Sequence, residues 1–249
     1  MAGNTAVPGR TVTSRVLAIL GAFDVDHRAL ALAEISRRAG LALTTAHRLV
    51  GELTEWGALT RTADGRYLVG SRLAELGLLA PAEGDLLRVA TPYLSEVYDA
   101  TRATVQLGVR DGGDVLYLAG RGGTDSVPVR NSAGTRLPLY ATGVGKVLLA
   151  HAPADVTSGV LGRLRRITPY TVTQPGRLAR QLQQVRVNGY ATTAEEMSLG
   201  ACSVAVPVVD AAHGVRAAVG VVVPDLGRDV DRLVSVLQSA ATGIARQLA

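Results

Sequence analysis

The stretch Gly40-Leu-Ala-Leu-Thr-Thr-Ala-His-Arg-Leu-Val-Gly-Glu-Leu53 decides how the first third of this chain folds. Ala46, Leu49, Val50 and Leu53, continued by Trp56, recur at helical spacing and predict a helix over 44–56. That stripe leaves Thr44, Thr45, His47 and Arg48 crowded on the outer face of the first turns. Gly40 ends a preceding helix over 32–39, with Ile35 and Ala39 inward, because glycine tolerates the left-handed conformation of a sharp turn. Upstream, 14–23 reads as helix with Val16, Leu17, Leu20 and Phe23 on one face. Downstream the period shortens, and 59–62 and 66–69 read as two strands around Asp64-Gly65. Helix, glycine turn, helix and hairpin, in this order, form a winged helix-turn-helix over 11–70.

In that arrangement the second helix of the pair enters the DNA major groove N-terminal end first. Arg48 suits a bidentate contact to guanine, and Thr44 and Thr45 suit a phosphate or a thymine methyl. His47 shares their face, and the N–H groups at the helix start favour phosphate. Arg61 and Arg66 flank the wing turn and point to backbone or minor groove. Arg38, with Arg37 and Arg72, extends the basic set. The plainer alternative makes Thr44 an N-cap and the rest a solvated face, but the hairpin at the right distance favours DNA. Leu41 and Leu43 are the misfit, since polar residues there would serve phosphate better.

Composition agrees and narrows the field. The chain has 249 residues, enough for one large or two smaller domains, and 47% are hydrophobic. Only 4% are aromatic, so the core is built from Val, Leu and Ala. The net charge of +5 and pI near 9.8 fit a nucleic-acid binder. The charge is spread, with 9 basic and 7 acidic residues in 1–80 and 17 and 14 beyond. A DNA site must therefore come from local placement of arginines. One cysteine, Cys202, excludes an intrachain disulfide and a cysteine-based zinc cluster. Four scattered histidines lack metal-ligand spacing, so no metal and no cofactor is expected. The N-terminus has no apolar signal core, and the apolar region 205–224 is broken by Asp210, His213 and Arg216. No membrane association and a cytoplasmic location are expected.

Residues 1–10 are small and polar and read as a disordered tail. Ser71 can cap a helix over 72–80, with Leu73, Leu76 and Leu79 as a narrow apolar stripe, and 81–84 reads as a hinge, making 71–84 a linker. A long helix follows over 86–100, with a start or kink expected at Pro92. Strands are expected at 104–110, 115–119, 127–130, 190–193, 203–209 and 215–223. Helices are expected at 144–150, 178–187 and 229–247. Helices flanking a mostly antiparallel sheet make 85–249 an α+β domain.

Three sequence features of this second half invite chemistry. Ala141-Thr-Gly-Val-Gly-Lys146 fails the phosphate-loop pattern, because Tyr140 stands where glycine is needed and Val147 where Ser or Thr is needed. A glycine-bearing turn at a helix start still offers N–H groups to an anion such as a carboxylate. Cys202-Ser203 would need a nearby base, and nothing in the sequence brings His151 or His213 close. Glu195-Glu196 reads as a solvated loop rather than an acid/base pair, and no G-x-S-x-G elbow is present. No catalytic residue is assigned.

The segments LAEISRRAGL at 32–41, TAHRL at 45–49, DGRYLVG at 64–70 and RLPLYATGVGKVLLA at 136–150 resemble the IclR family of bacterial transcription regulators. Gly189-Tyr190, Glu195-Glu196 and the strand pair ending at Pro224 continue the resemblance, which runs in order from about 13 to 245. It implies a winged-helix domain, a linker helix, and an effector-binding domain resembling a GAF or PAS fold, in chains that act as dimers or tetramers. It also implies pocket walls at Thr142, Gly143 and Val144, at the loop after Tyr190, at Cys202 and Ser203, and at the strand before Pro224, including Gly220 and Val222. Leu107, Val144 and Val222 are taken as apolar walls. Thr192, Thr193 and Ala194, then Gly220-Val-Val-Val223, replace the acidic pair and serines of members that bind small polar acids. A less polar, larger pocket is therefore expected, suited to an aromatic or partly apolar organic acid. The reading is a homo-oligomeric regulator that binds double-stranded operator DNA and a small-molecule effector. A ligand-metabolising enzyme fused to a winged helix, and a winged-helix protein-interaction module, are the alternatives.

Overall fold

The computed structural model describes residues 11–24, 27–78, 81–122, 127, 133–210, 214–227 and 229–248. The tail expected at 1–10, Leu79 and His213 lie outside them. The chain divides into two compact units, Met1–Gly84 and Asp85–Ala249.

The first unit holds α1 (Val12–Leu20), β1 (Ala29–Leu30), α2 (Leu32–Ala39), α3 (Leu43–Glu55), β2 (Leu59–Arg61), β3 (Tyr67–Val69) and α4 (Ser71–Leu78). The three strands form one small antiparallel sheet, with β3 in the middle. Gly40 takes φ 62°, and the Leu41 N–H then reaches the Ser36 carbonyl at 3.0 Å. The Ser36 hydroxyl returns a bond to the Leu41 carbonyl at 2.7 Å, so the α2–α3 turn is tied twice. Ala46, Leu49, Val50 and Leu53 of α3 are all buried. The stripe on α1 differs from the expected one. Leu17 is 61% exposed, and Ile19 takes the inward place beside Val16, Leu20 and Phe23. Helical spacing allows either set; contact with Ile35 and Leu49 selects the second. Leu73 packs against this same core, whereas Leu76 is exposed, so the described part of α4 does not present a free apolar stripe.

The second unit begins within α5 (Pro81–Thr101). Residues 81–84, expected as a hinge, are its first turn, where proline's missing N–H costs nothing. Pro92 lies inside the helix without ending it. There follow β4 (Thr104–Asp111), β5 (Asp114–Arg121), β6 (Arg136–Pro138), α6 (Gly143–Ala150), α7 (Ala154–Leu161), α8 (Pro175–Asn188), β7 (Ala191–Ala194), β8 (Cys202–Asp210), β9 (Gly214–Val223) and α9 (Val230–Leu248). The six-stranded sheet runs β6-β5-β4-β9-β8-β7, and its pairings are antiparallel. Val127 is not in a strand, and 128–130 lie outside the described residues. The edge beside β5 is instead β6, which, like α7, its local pattern did not announce.

Strand alternation sorts the second core into two layers. Val105, Leu107, Val204, Val206, Val219 and Val221 face α5 and α9. Val115, Tyr117, Ala205 and Ala218 face α6 and α8. On that second face the sheet carries small residues, and all eight residues of α6 are buried against it. The approach is tight. A Cβ on Gly108 would stand 3.0 Å from Val144, and one on Gly220 would stand 3.0 Å from Val144 and 2.9 Å from the Val204 carbonyl.

Leu49→Ala should destabilise the first unit by about 2–5 kcal/mol, the cost of a cavity in a fully packed core. Leu43→Ala, at a position 53% exposed, should stay within about 0.5 kcal/mol of the parent. Urea denaturation followed by Trp56 fluorescence compares the two. Equal losses would mean that Leu43 belongs to the core.

Candidate nucleic-acid interface and ligand cavity

The start of α3 is built for exposure. Its N-cap is Ala42, which offers no side-chain oxygen to the first N–H groups, so Thr44 is not the cap. Thr44, His47 and Arg48 are exposed and Thr45 is half-buried. Arg48 pairs with Glu52 one turn on, with side chains 59% and 57% exposed. Such a solvated pair is worth about 0.3–0.5 kcal/mol, too little to hold Arg48 back from a stronger partner.

On the wing, the Thr62 N–H meets the Arg66 carbonyl at 2.8 Å, and Gly65 turns the chain at φ 82°. The Thr62 hydroxyl bonds the Asp64 carboxylate and holds its pKa below the usual carboxylate range. Arg61 lies over the Tyr67 ring at 5.8 Å from its centroid, and Arg66 donates to the Ala29 carbonyl at 3.3 Å. Both remain exposed. Arg38 is different. Its guanidinium donates to the Ala22 carbonyl at 2.7 Å and to Asp24 at 2.5 Å, which fastens α2 to the end of α1. Arg72 sits over Trp56 at 5.7 Å.

The second unit has a small cavity, about 30 Å³, at the N-terminal end of α6. Thr142, Gly143, Ser203 and Val222, four of the expected wall residues, line it together. Leu107 and Cys202 do not, because their strand parity turns them to the opposite face of the sheet from Gln106 and Ser203. Burial pushes the Cys202 thiol pKa up, which suits a resting thiol rather than a nucleophile. Gly220 and Val144 pack against each other under α6, behind the wall rather than in it. His151 is at the far end of the same helix, bonded to the Val147 carbonyl.

Thr193, in the segment after Tyr190 expected to form a wall, lines the cavity too, whereas sequence reasoning missed Gln106, Tyr117 and Met197. The signal for Gln106 was present: Thr104 and Gln106 are polar at alternate positions of an otherwise apolar strand. The larger volume expected is not seen here. The cavity is small, and its lining mixes polar side chains with Ala141, Met197, Ala201 and Val222.

Hydrogen bonding gives the cavity its electrostatic sense. Thr142 caps α6 by accepting from the Gly145 N–H at 3.0 Å. The Gly143 N–H donates to Ser203 Oγ at 3.2 Å, and the Ser203 and Thr193 hydroxyls are 2.6 Å apart. The helix-start N–H groups expected to receive an anion are thus already engaged at Gly143 and Gly145. Two other groups are not. Gln106 and Tyr117 are 3% and 1% exposed, yet Gln106 Nε2 and Tyr117 Oη have no well-aligned hydrogen-bond partner. Burial pushes the Tyr117 pKa up to about 12, and the nearby Thr142 hydroxyl offsets only part of that, so Tyr117 remains a donor. An amide NH₂ and a phenol facing one cavity favour an occupant rich in acceptor oxygens.

An exposed helix-turn-helix reading face and, in the other unit, a buried polar cavity define a DNA-binding sensor. Residues 12–63 match the family model described as the IclR helix-turn-helix domain. Residues 80–246 match the one described as Bacterial transcriptional regulator IclR C-terminal. The chain belongs to the IclR family of bacterial transcriptional regulators. It is 32% identical to the HTH-type transcriptional regulator BhcR of Paracoccus denitrificans, over 96% of this chain and 86% of that protein. It is 30% identical to the p-hydroxybenzoate hydroxylase transcriptional activator of Acinetobacter baylyi, over 78% and 74%. Among solved structures, an IclR homolog from Microbacterium hydrocarbonoxydans complexed with 4-hydroxybenzoate superposes with TM-score 0.91 at 36% identity, covering 96% and 99% of the two chains. Among the described residues no helix is long and apolar enough to cross a membrane.

Because Gln106 Nε2 has no well-aligned partner, Gln106→Leu should change the stability of the ligand-free protein by less than about 1 kcal/mol. A loss of about 1–3 kcal/mol in urea denaturation would reveal a partner that the side chain had kept.

Proposed function

We propose that this regulator reads operator DNA with the outer face of α3 and senses an organic acid with an aromatic body in the cavity beside α6. The observation that carries the effector half is the pair of buried donors without a well-aligned partner, Gln106 Nε2 and Tyr117 Oη. Val222, Met197 and Ala201 supply apolar wall for a ring, and the Ser203–Thr193 hydroxyl pair can turn toward a carboxylate. The two relatives named for 4-hydroxybenzoate chemistry support an aromatic acid. Isothermal titration with 4-hydroxybenzoate, and with benzylamine as a cationic ring of similar size, tests the reading. Binding of the acid alone, weakened at least tenfold in Gln106→Leu, is expected. Binding unaffected by that substitution would move the effector elsewhere.

For the DNA half, Thr44, Thr45, His47 and Arg48 meet the major groove, and Arg61 and Arg66 meet the flanking backbone. Arg38, tied to Ala22 and Asp24, acts by fixing the angle of α2 rather than by touching DNA. The chain works as a dimer or a dimer of dimers, since one α3 reads too few bases to specify a site. Arg48→Ala should weaken specific binding by about 1–3 kcal/mol and leave random DNA almost unaffected. Footprints on the chain's own upstream DNA should cover two half-sites about one helical turn apart, or a multiple of that. A single protected half-site would argue for a monomer, and equal loss on random DNA would make Arg48 a phosphate contact.

A further inference from the structure

The segment 195–201 is the one wall of the cavity, among the described residues, that lies outside the strands and outside α6 and its entry turn. It contributes Met197, Ser198 and Ala201. It is closed on itself by the Glu195 N–H to the Ala201 carbonyl at 2.9 Å, and by the Gly200 N–H to the Glu195 carboxylate at 3.1 Å. The Thr168 and Thr171 hydroxyls hold the Glu195 and Glu196 carbonyls, each at 2.7 Å. From this segment the Glu196 carboxylate reaches inward to Lys146 Nζ at 2.5 Å. Lys146 is on α6, one turn beyond the cavity wall, is 1% exposed, and also donates to Gln181 Oε1 of α8 at 2.9 Å.

We propose that the Lys146–Glu196 pair is the latch that keeps segment 195–201 closed over the cavity, and that its release admits the effector. The proposal rests on the reading of that cavity as the effector site. Three observations carry it. A cavity of about 30 Å³ is tight for a ring with a carboxylate, so entry is eased if one wall gives. The strands and α6 are fixed by ladder bonds and by close packing, which leaves segment 195–201. That segment is closed but not comfortably so. Glu195 is a non-glycine residue at φ 55°, and Glu196 Oε2 is buried with no hydrogen-bond partner. Both features disfavour the closed form. The ion pair opposes them together with the Thr168 and Thr171 hydrogen bonds, and it is the contact that ties the segment to α6. Opening lets water reach Glu196 Oε2 and relaxes Glu195, so closed and open forms are balanced rather than far apart. The effector's apparent affinity is its intrinsic affinity reduced by the fraction of open protein.

Two variants of the full chain test this. Glu196→Gln removes the charge and keeps the shape. Because it leaves Lys146 buried without a counter-charge, Lys146→Met combined with Glu196→Gln provides a second variant without that burden. Hydrogen exchange of the unliganded proteins is measured over 195–201, together with stopped-flow association of 4-hydroxybenzoate. A latch predicts exchange at least tenfold faster in that segment, with β8 and β9 unchanged, and association about tenfold faster. Unchanged exchange at 195–201 in both variants overturns the latch, whatever happens to the melting temperature. If the parent binds no 4-hydroxybenzoate, the cavity reading fails by itself, and the exchange result still decides whether the pair holds the segment.

Discussion

The second unit depends on how closely α6 can sit on the sheet. Its eight residues are wholly buried, and the strands beneath them present Gly108, Ala205, Ala218 and Gly220. At Gly143 the approach is closer still, because a Cβ there would stand 2.6 Å from Ser203 Oγ. Small residues on the strands let the helix N-terminus descend to the plane of the β8 side chains. That descent produces the Gly143–Ser203 hydrogen bond and places the polar side chains of β4, β5 and β8 around one small space. Larger residues on the strands would lift the helix and leave Gln106 and Tyr117 facing water. The cavity is thus a consequence of backbone approach, and its polar residues are stranded there by packing that other residues enforce.

The first unit separates the same two tasks along one helix. Ala46, Leu49, Val50 and Leu53 spend one face of α3 on the core, while Thr44, His47 and Arg48 remain outside. The twice-tied turn at Ser36 and Leu41 fixes where α3 begins. Arg38 fixes α2 against the end of α1. An exposed arginine such as Arg48 can read DNA only if its helix is rigidly placed, and buried or tethered neighbours do the placing.

What the sequence made legible follows from periodicity. The helices α2 and α3, the wing hairpin and the long strands β8 and β9 carry patterns strong enough to read locally. The weaker elements are set by neighbours rather than by their own residues. Three-residue β6 exists because β5 offers it an edge. Ile19 replaces Leu17 inside because α3 lies on that side. The cavity was half legible for a related reason. Thr142, Gly143 and Ser203 lie in motifs, and Val222 lies near a strand end that was expected to form a wall. Gln106 and Tyr117 become neighbours only through the β4–β5 register, which shifts between Leu107 and Gly108. Leu107 and Cys202 were assigned to the wrong face because a one-residue step reverses a strand side chain.

Lys146 shows how a single residue type can be dictated by acceptor geometry. Of the 26 lysines and arginines in the chain it is the only lysine. Burial pulls its pKa down, and the adjacent Glu196 opposes that pull. Its site supplies two acceptors, Glu196 Oε1 and Gln181 Oε1. An ammonium is a compact charge with three donors, whereas a guanidinium brings five in a fixed fork. An arginine here would bury several unpaired N–H groups and would need volume that α6, packed against the sheet, does not leave. Breaking a buried ion pair from one side costs about 3–5 kcal/mol, so either partner alone is a liability. The two residues are therefore meaningful only together, and they bind the helix that forms the cavity floor to the segment that forms its outer wall.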